Sequence, residues 1–286
     1  MNEAIRKTAK AVEYMEDYLK TVLQGKKLWE NTYIKKQMDK RERGESFSMS
    51  DHIRGMVYAM LSSNISWERV EKDIDDKSAK ILSIDKIFHD YDIDFLLSCS
   101  VKELADKIRE RKLASLSTNK QMEAFIHNNI HLLKSWEDSF GNIDTFYESF
   151  IEEDPSYKTL IKTLSQSDSE NKMKEMSESL TAEYLRNVGY DLAKPGRHIR
   201  RILGCGVLAC SEQETTPVYE SIDIVREIAG ILEKPVAYVD YILWAYCATG
   251  YGEICTSKNP VCYRCVVRDY CRQGRKTRTV SEHKVL

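Results

Sequence analysis

Apolar residues recur every three or four positions along most of the chain, which is the period of an amphipathic α-helix. Only five prolines and twelve glycines interrupt the 286 residues, so few positions force the backbone out of a helical path. The pattern therefore predicts an all-α protein. Helices are expected over about 67 to 82, 101 to 110, 118 to 135, 143 to 152, 180 to 189, 198 to 209, 218 to 232 and 236 to 248.

Polar interruptions suggest how the chain is divided. A charged stretch at 40 to 45 ends a first helical region, and the Ser and Asp residues of 48 to 51 favour a helix N-terminus there. A second polar stretch, 165 to 171, is predicted to be the main internal loop. We expect an N-terminal helical segment (1–47) that packs on the second lobe, a helical lobe (48–165), a further region (166–271) and a basic tail (272–286).

Charge and hydropathy restrict the function classes. The net charge is -2, so nucleic-acid contact would have to come from local basic patches. The apolar runs are far shorter than the roughly 20 residues that cross a bilayer. The first residues also lack the apolar core of a secretory signal. We therefore expect no membrane span and a cytoplasmic location.

Four of the eight cysteines lie close together near the end of the sequence. Their spacing is Cys255-x6-Cys262-x2-Cys265-x5-Cys271. In a cytoplasmic protein such crowding favours metal ligation over disulfides, and four thiolates from one short segment suit a [4Fe-4S] cluster. Structural zinc is the alternative, although zinc sites typically use two Cys-x-x-Cys pairs and only one pair is present. The other cysteines are interpreted as buried residues: Cys99, Cys205, Cys210 and Cys247.

The cysteine spacing, together with residues 241–246 and 250–252 before it, resembles the end of the endonuclease III family in the helix-hairpin-helix DNA glycosylase superfamily. Stretches 60–64, 116–121 and 189–202 are similar to other family segments and occur in the same order. The resemblance implies a two-lobed helical DNA glycosylase fold with a C-terminal iron-sulfur cluster loop. It also implies that the partner is double-stranded DNA, damaged or mismatched, and it implies no protein partner.

The same resemblance implies which residues contact DNA. The family places a polar turn, here residues 62 to 64, into the DNA stack, and residues 194 to 201 form a dense basic patch at a predicted helix start. The alternative interpretation is that these basic residues form a solvated surface that does not contact DNA. The candidate DNA-binding residues are Ser62, Ser63, Asn64, Lys194, Arg197, His198, Arg200 and Arg201.

Two departures from the family pattern bear on catalysis. Gly196 stands where the family has its catalytic aspartate, so the carboxylate that would stabilise positive charge on the sugar is missing. Asp191 or Glu183 is a candidate substitute. The hairpin motif, here residues 176 to 182, has lost both glycines, and Leu180 falls where lyase-competent members have lysine. A Schiff-base lyase step is therefore not expected.

Three functions remain open at this stage. The first is base-excision DNA repair by a monofunctional glycosylase that flips its target base out of the duplex. The second is a catalytically inactive protein that binds lesions or DNA structures. The third is a regulator that responds to loss of its iron-sulfur cluster.

Overall fold

The computed structural model describes residues 3–62, 70–113 and 115–276. Within these ranges the regular structure is helical, and the only β-type pairing described is an isolated antiparallel bridge between Ile74 and Ile81. The prediction of an all-α protein is confirmed. None of the described helices has both the length and the apolar character needed to span a membrane.

The α-helices are numbered in chain order and follow the predicted segments closely in several places. A π-helical turn, Phe125–Asn129, joins the seventh helix to the eighth. The helices are α1 (Glu3–Val22), α2 (Tyr33–Glu42), α3 (Met49–Leu61), α4 (Leu82–Ile87), α5 (Ile93–Ser98), α6 (Val101–Glu110), α7 (Thr118–Ala124), α8 (Ile130–Phe140), α9 (Ile143–Glu153), α10 (Lys158–Ser165), α11 (Glu178–Asn187), α12 (Arg197–Leu203), α13 (Val218–Leu232) and α14 (Val236–Cys247).

The start of α3 shows how local sequence determines a helix boundary. The Ser48 hydroxyl accepts a hydrogen bond from the Asp51 amide, and the Asp51 carboxylate accepts one from the Ser48 amide. This capping box satisfies two backbone donors that have no partner inside the helix. Beyond it, α3 is buried along most of its length. A Cβ at Gly55 would lie 3.0 Å from the Val188 side chain, so glycine permits close packing near the end of α11.

Two predicted helices are shorter than the sequence pattern suggested. From 72 to 81 the described chain forms turns and the small bridge, because the Asp75 carboxylate accepts hydrogen bonds from the amides of Lys77 and Ser78. The helix expected over 198 to 209 ends at Leu203. At Gly204 a Cβ would lie 2.0 Å from the carbonyl oxygen of Glu214, so the backbone there approaches another segment too closely for any side chain.

The chain divides into two compact units. The first contains residues up to Trp29 together with Asp191 onward, and in it α1 packs against α13 and α14. The second contains Glu30–Tyr190, where α3 packs extensively on α11 and α2 also contacts α11. Residues 166–190 thus belong with 48–165, and the segment 1–47 is shared between the units.

Candidate nucleic-acid interface and cysteine loop

The loop before α12 is held in place by α14 of the same unit. Both oxygens of Asp191 accept backbone hydrogen bonds at the start of α14, from Val236 at 3.0 Å and Ala237 at 2.8 Å. Three residues later, the Lys194 amide donates to the buried Asp240 carboxylate at 3.0 Å. Asp191 therefore acts as a helix cap, and its oxygens are already engaged with backbone donors.

Gly196 is the N-cap of α12 and has extended dihedral angles, φ -78° and ψ 168°. A Cβ built at this position would approach atoms of Lys194 no closer than 3.9 Å, which is ordinary van der Waals contact. The backbone therefore does not require glycine, and the position has room for a Cβ. The absence of an aspartate reflects the sequence and not a steric constraint.

The basic patch contains side chains with different surroundings. Arg197 is exposed at the first position of α12. The guanidinium of Arg200 donates to the Thr216 carbonyl at 2.7 Å, which holds the segment after α12 against that helix. His198 is half-buried, and burial lowers its pKa, with smaller contributions from the cations Arg201 and Arg197. Burial therefore favours the neutral form of His198.

Arg201 points toward the cysteines. Its Nη1 atom lies 3.6 Å from the Cys255 sulfur, and its Nη2 atom lies 3.7 Å from the sulfurs of both Cys255 and Cys247. The same side chain donates to the Cys255 carbonyl. Arg200 and Arg201 thus have internal partners. Arg197 is exposed, whereas Lys194 and His198 are half-buried.

The predicted polar turn after α3 is described only at its first residue. Ser62 is the C-cap of α3, and its hydroxyl donates to the Ala59 carbonyl at 2.7 Å. Ser63 and Asn64 lie outside the described residues. The end of α3 is tied to the start of α7 by Gln121, whose amide donates to the Met60 carbonyl at 3.1 Å.

Leu116 is an exposed apolar side chain that the sequence interpretation did not single out as functional. It is fully exposed, at 109% of its reference area, in the turn that precedes α7. The turn around it is ordered by hydrogen bonds, because the Ser115 hydroxyl pairs with that of Ser117 and the Ser115 amide donates to Thr118. The sequence signal that could have identified it is a leucine between two serines at a predicted helix start.

The hairpin segment leads into α11 without glycine. Ser177 caps the helix by accepting from the Leu180 amide, and Leu180 is half-buried. The segment before the hairpin is held by buried Asn129, whose side-chain amide exchanges two hydrogen bonds with the Lys174 backbone. Farther along α11, Glu183 lies 3.7 Å from Arg186. No amine occupies position 180.

The four clustered cysteines occupy a loop that contains only short 3-10 turns, Cys262–Arg264 and Arg268–Tyr270. Several polar hydrogens point at their sulfurs. The Tyr246 hydroxyl donates to Cys265 at 3.4 Å, the Gly274 amide donates to Cys271 at 3.3 Å, and Arg201 donates to Cys255. Such donors stabilise sulfur that carries negative charge.

These surroundings shift the pKa values of three of the thiols. A hydrogen bond with Cys247 and the nearby Arg201 lower the pKa of Cys255 to about 6. Burial raises the pKa of Cys265 and of Cys271, and the charge on Cys255 contributes to both increases. In the described ranges, no group of three or more His, Cys, Asp or Glu side chains has the arrangement of a metal site. The donor chemistry nevertheless fits a thiolate-ligated group, because three of the four sulfurs receive hydrogen bonds.

Comparisons with known proteins gave one structural match. No family model matches the chain, and none of the curated proteins does. A crystal structure of Methanocaldococcus jannaschii 8-oxoguanine glycosylase/lyase, in complex with 15mer DNA containing 8-oxoguanine, is similar over 84% of this chain and 97% of that chain. The TM-score is 0.53 and the sequence identity is 21%. The likeness shows that this chain has the helical fold of a DNA glycosylase.

Proposed function

We propose that this chain binds double-stranded DNA and recognises damaged or mismatched bases, as a DNA glycosylase-like protein. The observation that carries the proposal is the fold, because the similar structure is that of an 8-oxoguanine glycosylase/lyase in complex with DNA containing 8-oxoguanine. The chain is nearly neutral overall, so binding depends on local cations and on apolar contacts with the bases.

Two described features supply such contacts. Arg197 is an exposed cation beside half-buried Lys194 and is suited to a phosphate. Leu116 projects from an ordered turn in the other unit, and exposed apolar side chains of this kind act as wedges between base steps in proteins that kink DNA. Each feature makes its own contribution to DNA affinity.

The binding proposal is tested with fluorescence anisotropy on labelled duplexes with and without lesions, over a range of salt concentrations. Arg197→Ala is expected to reduce the slope of log K against log salt by about 0.9, the value for one phosphate contact. Arg226→Ala removes an exposed arginine from α13 and is the matched control. Equal slopes for the Arg197 variant and the unmodified chain would remove Arg197 from the interface.

The proposed role of Leu116 is tested with a variant and a matched control. Leu116→Ala is expected to weaken duplex binding several-fold without loss of stability, because the leucine side chain buries nothing in the free protein. Leu82→Ala, at another exposed leucine of the same unit, is the control. If both variants bind DNA as the unmodified chain does, Leu116 has no role in recognition.

Any base excision by this chain is proposed to be monofunctional. Leu180 offers no amine for a Schiff base, so strand cleavage through a covalent intermediate is not expected. A second candidate, binding without excision, is favoured by the surroundings of the three positions that the sequence suggested for a catalytic acid. Gly196 has no carboxylate, and the carboxylate of Asp191 already caps α14. The carboxylate of Glu183 lies 3.7 Å from the Arg186 guanidinium and so has a cation partner in α11.

A base-release assay separates the two candidates. Duplexes carrying oxidised, deaminated, alkylated or mismatched bases are incubated with excess protein and then heated in alkali, which cleaves at abasic sites. Alkali-dependent cleavage would support monofunctional excision. Retention of a lesion duplex in a gel without any cleavage would support the binding protein, and cleavage before alkali would contradict both.

Gly196→Asp makes the assay sharper. The added Cβ has room at the N-cap of α12, and aspartate is a favoured N-cap residue. Appearance of alkali-dependent cleavage in this variant would mean that the carboxylate was the missing part of the catalytic site. Gly206→Asp, where no atom lies within 4 Å of the added Cβ, is the control for adding an acid to the same unit.

We also propose that Cys255, Cys262, Cys265 and Cys271 hold a [4Fe-4S] cluster. The spacing and the hydrogen bonds to three sulfurs support this assignment. When bound, the cluster would fix the loop between Cys255 and Cys271 by cross-linking its cysteines. Anaerobic absorbance with iron and sulfide analysis tests the proposal. About four irons per chain are expected for a cube, whereas a colourless protein that contains zinc would overturn it.

A further inference from the structure

Cys247 lies beside Cys255 although it is not one of the four loop cysteines. Cys247 is the last residue of α14 and is 1% exposed. After α14 the chain turns back on the helix, and the amides of Ile254 and Cys255 both donate to the carbonyl of Tyr246. That carbonyl belongs to the peptide bond that enters Cys247. The Cys255 amide is therefore hydrogen-bonded to the residue that directly precedes Cys247.

The two sulfurs share a contact as well. The Nη2 atom of Arg201 lies 3.7 Å from the sulfur of Cys247 and 3.7 Å from the sulfur of Cys255. The turn that brings them together is tight, since a Cβ at Gly252 would lie 3.0 Å from the Ala245 carbonyl. Disulfides join cysteines whose Cα atoms are about 4.4–6.8 Å apart, and the hydrogen bond from Cys255 to Tyr246 together with the shared Arg201 contact brings the two cysteines close to each other.

We propose that Cys247 and Cys255 form a reversible disulfide when the protein is exposed to a peroxide. The half-buried Cys255 sulfur attacks the peroxide, so that an S–O bond forms, the O–O bond breaks and one water leaves with the thiol proton. The Cys247 sulfur then attacks the sulfenic acid. An S–S bond forms, the S–O bond breaks, and hydroxide leaves as water with the Cys247 proton. Two thiols are oxidised and one peroxide is reduced to two waters.

This modification site goes beyond DNA binding and has a consequence for the cysteine loop. A sulfur in a disulfide cannot ligate iron, so the bond would withdraw Cys255 from the proposed ligand set while protecting it from irreversible oxidation. The bond itself depends only on the neighbouring thiols. Its effect on the loop rests on the proposed cluster.

The test is peptide mapping of the full chain by mass spectrometry. The purified protein is treated with hydrogen peroxide, its remaining thiols are alkylated, and it is digested without reductant. We expect a linked peptide pair that contains Cys247 and Cys255 and disappears after reduction. A predominant link from Cys255 to Cys262, Cys265 or Cys271, or full alkylation of Cys247 after treatment, would overturn the proposal.

A matched pair of variants strengthens the test. In Cys247→Ala we expect Cys255 to be recovered mainly as sulfinic or sulfonic acid, which reductant cannot reverse. Cys210→Ala removes a buried thiol elsewhere in the same unit and should leave the linked peptide unchanged. Reversible protection of Cys255 in the Cys247 variant would contradict the proposal. Iron analysis of the untreated protein reports separately on the cluster, because an iron-free chain can still form the bond.

Discussion

His52 gives the protein a defined dependence of stability on pH. Its imidazole is completely buried on α3, with Nδ1 2.8 Å from the Tyr184 hydroxyl and Nε2 3.5 Å from an Asp144 oxygen. Among the described residues His52 Nε2 has no hydrogen-bond partner, whereas that Asp144 oxygen accepts hydrogen bonds from Arg41 at 3.0 Å and from the Tyr190 hydroxyl at 2.8 Å. The negative charge of Asp144 is therefore already stabilised by these two donors. Burial lowers the pKa of His52 to about 4.

The direction of this pH dependence follows from the pKa of His52 in the folded and in the unfolded protein. An unfolded histidine binds a proton near pH 6.5, whereas His52 in the folded protein does so only near pH 4. As the pH falls between these values, the unfolded state binds more protons and the free energy of unfolding decreases. Linkage with these pKa values gives a loss of about 2 kcal/mol between pH 7 and pH 4.5. The other charges that act on the imidazole, Lys40 and Asp51, oppose each other.

Urea unfolding at several pH values between 7 and 4.5 measures this contribution. His52→Gln keeps a polar group near Tyr184 but cannot titrate, so its loss of stability on acidification should be smaller than that of the unmodified chain by about 2 kcal/mol. His127→Gln, at an exposed position in the π-helical turn, is the matched control. If the His52 variant and the unmodified chain lose stability equally, the inference of a neutral buried imidazole is wrong.

Other substitutions test particular backbone and capping features by urea unfolding. Gly189→Ala should be severely destabilising, because φ is +84° and a Cβ would lie 2.5 Å from the Gln37 carbonyl, whereas Gly230→Ala in α13 should stabilise by about 1 kcal/mol. Ser48→Ala should cost about 1 kcal/mol through loss of the α3 cap, and an unchanged midpoint would refute that role. Asp191→Ala should cost a similar amount without changing base release, so loss of base release from a folded variant would show a catalytic role.

Local sequence signals account for several helix boundaries, whereas the short helices α4, α5 and α10 were not predicted. The serine and aspartate at 48 to 51 predicted the start of α3, and apolar spacing predicted α6 and α13 at their observed limits. The predictions over 72 to 81 and after Leu203 were wrong, because those segments have partners that helical spacing does not encode. The Asp75 carboxylate binds nearby amides, and Gly204 packs against a backbone carbonyl ten residues later.

Some features of the candidate site were determined by the sequence, and others were decided only by the tertiary structure. The sequence by itself determined that four cysteines crowd near the end of the chain, that cations cluster near 200, and that Gly196 and Leu180 lack the expected functional groups. Only the tertiary structure decided that Arg201 faces Cys255, that Cys247 lies beside it, and that Asp191 caps α14. A helix closes its hydrogen bonds within four residues, so it leaves a periodic pattern in the sequence. The contacts of Arg201 and of Asp191 join residues more than forty positions apart, and the approach of Cys247 to Cys255 depends on a turn. None of these contacts leaves a periodic pattern.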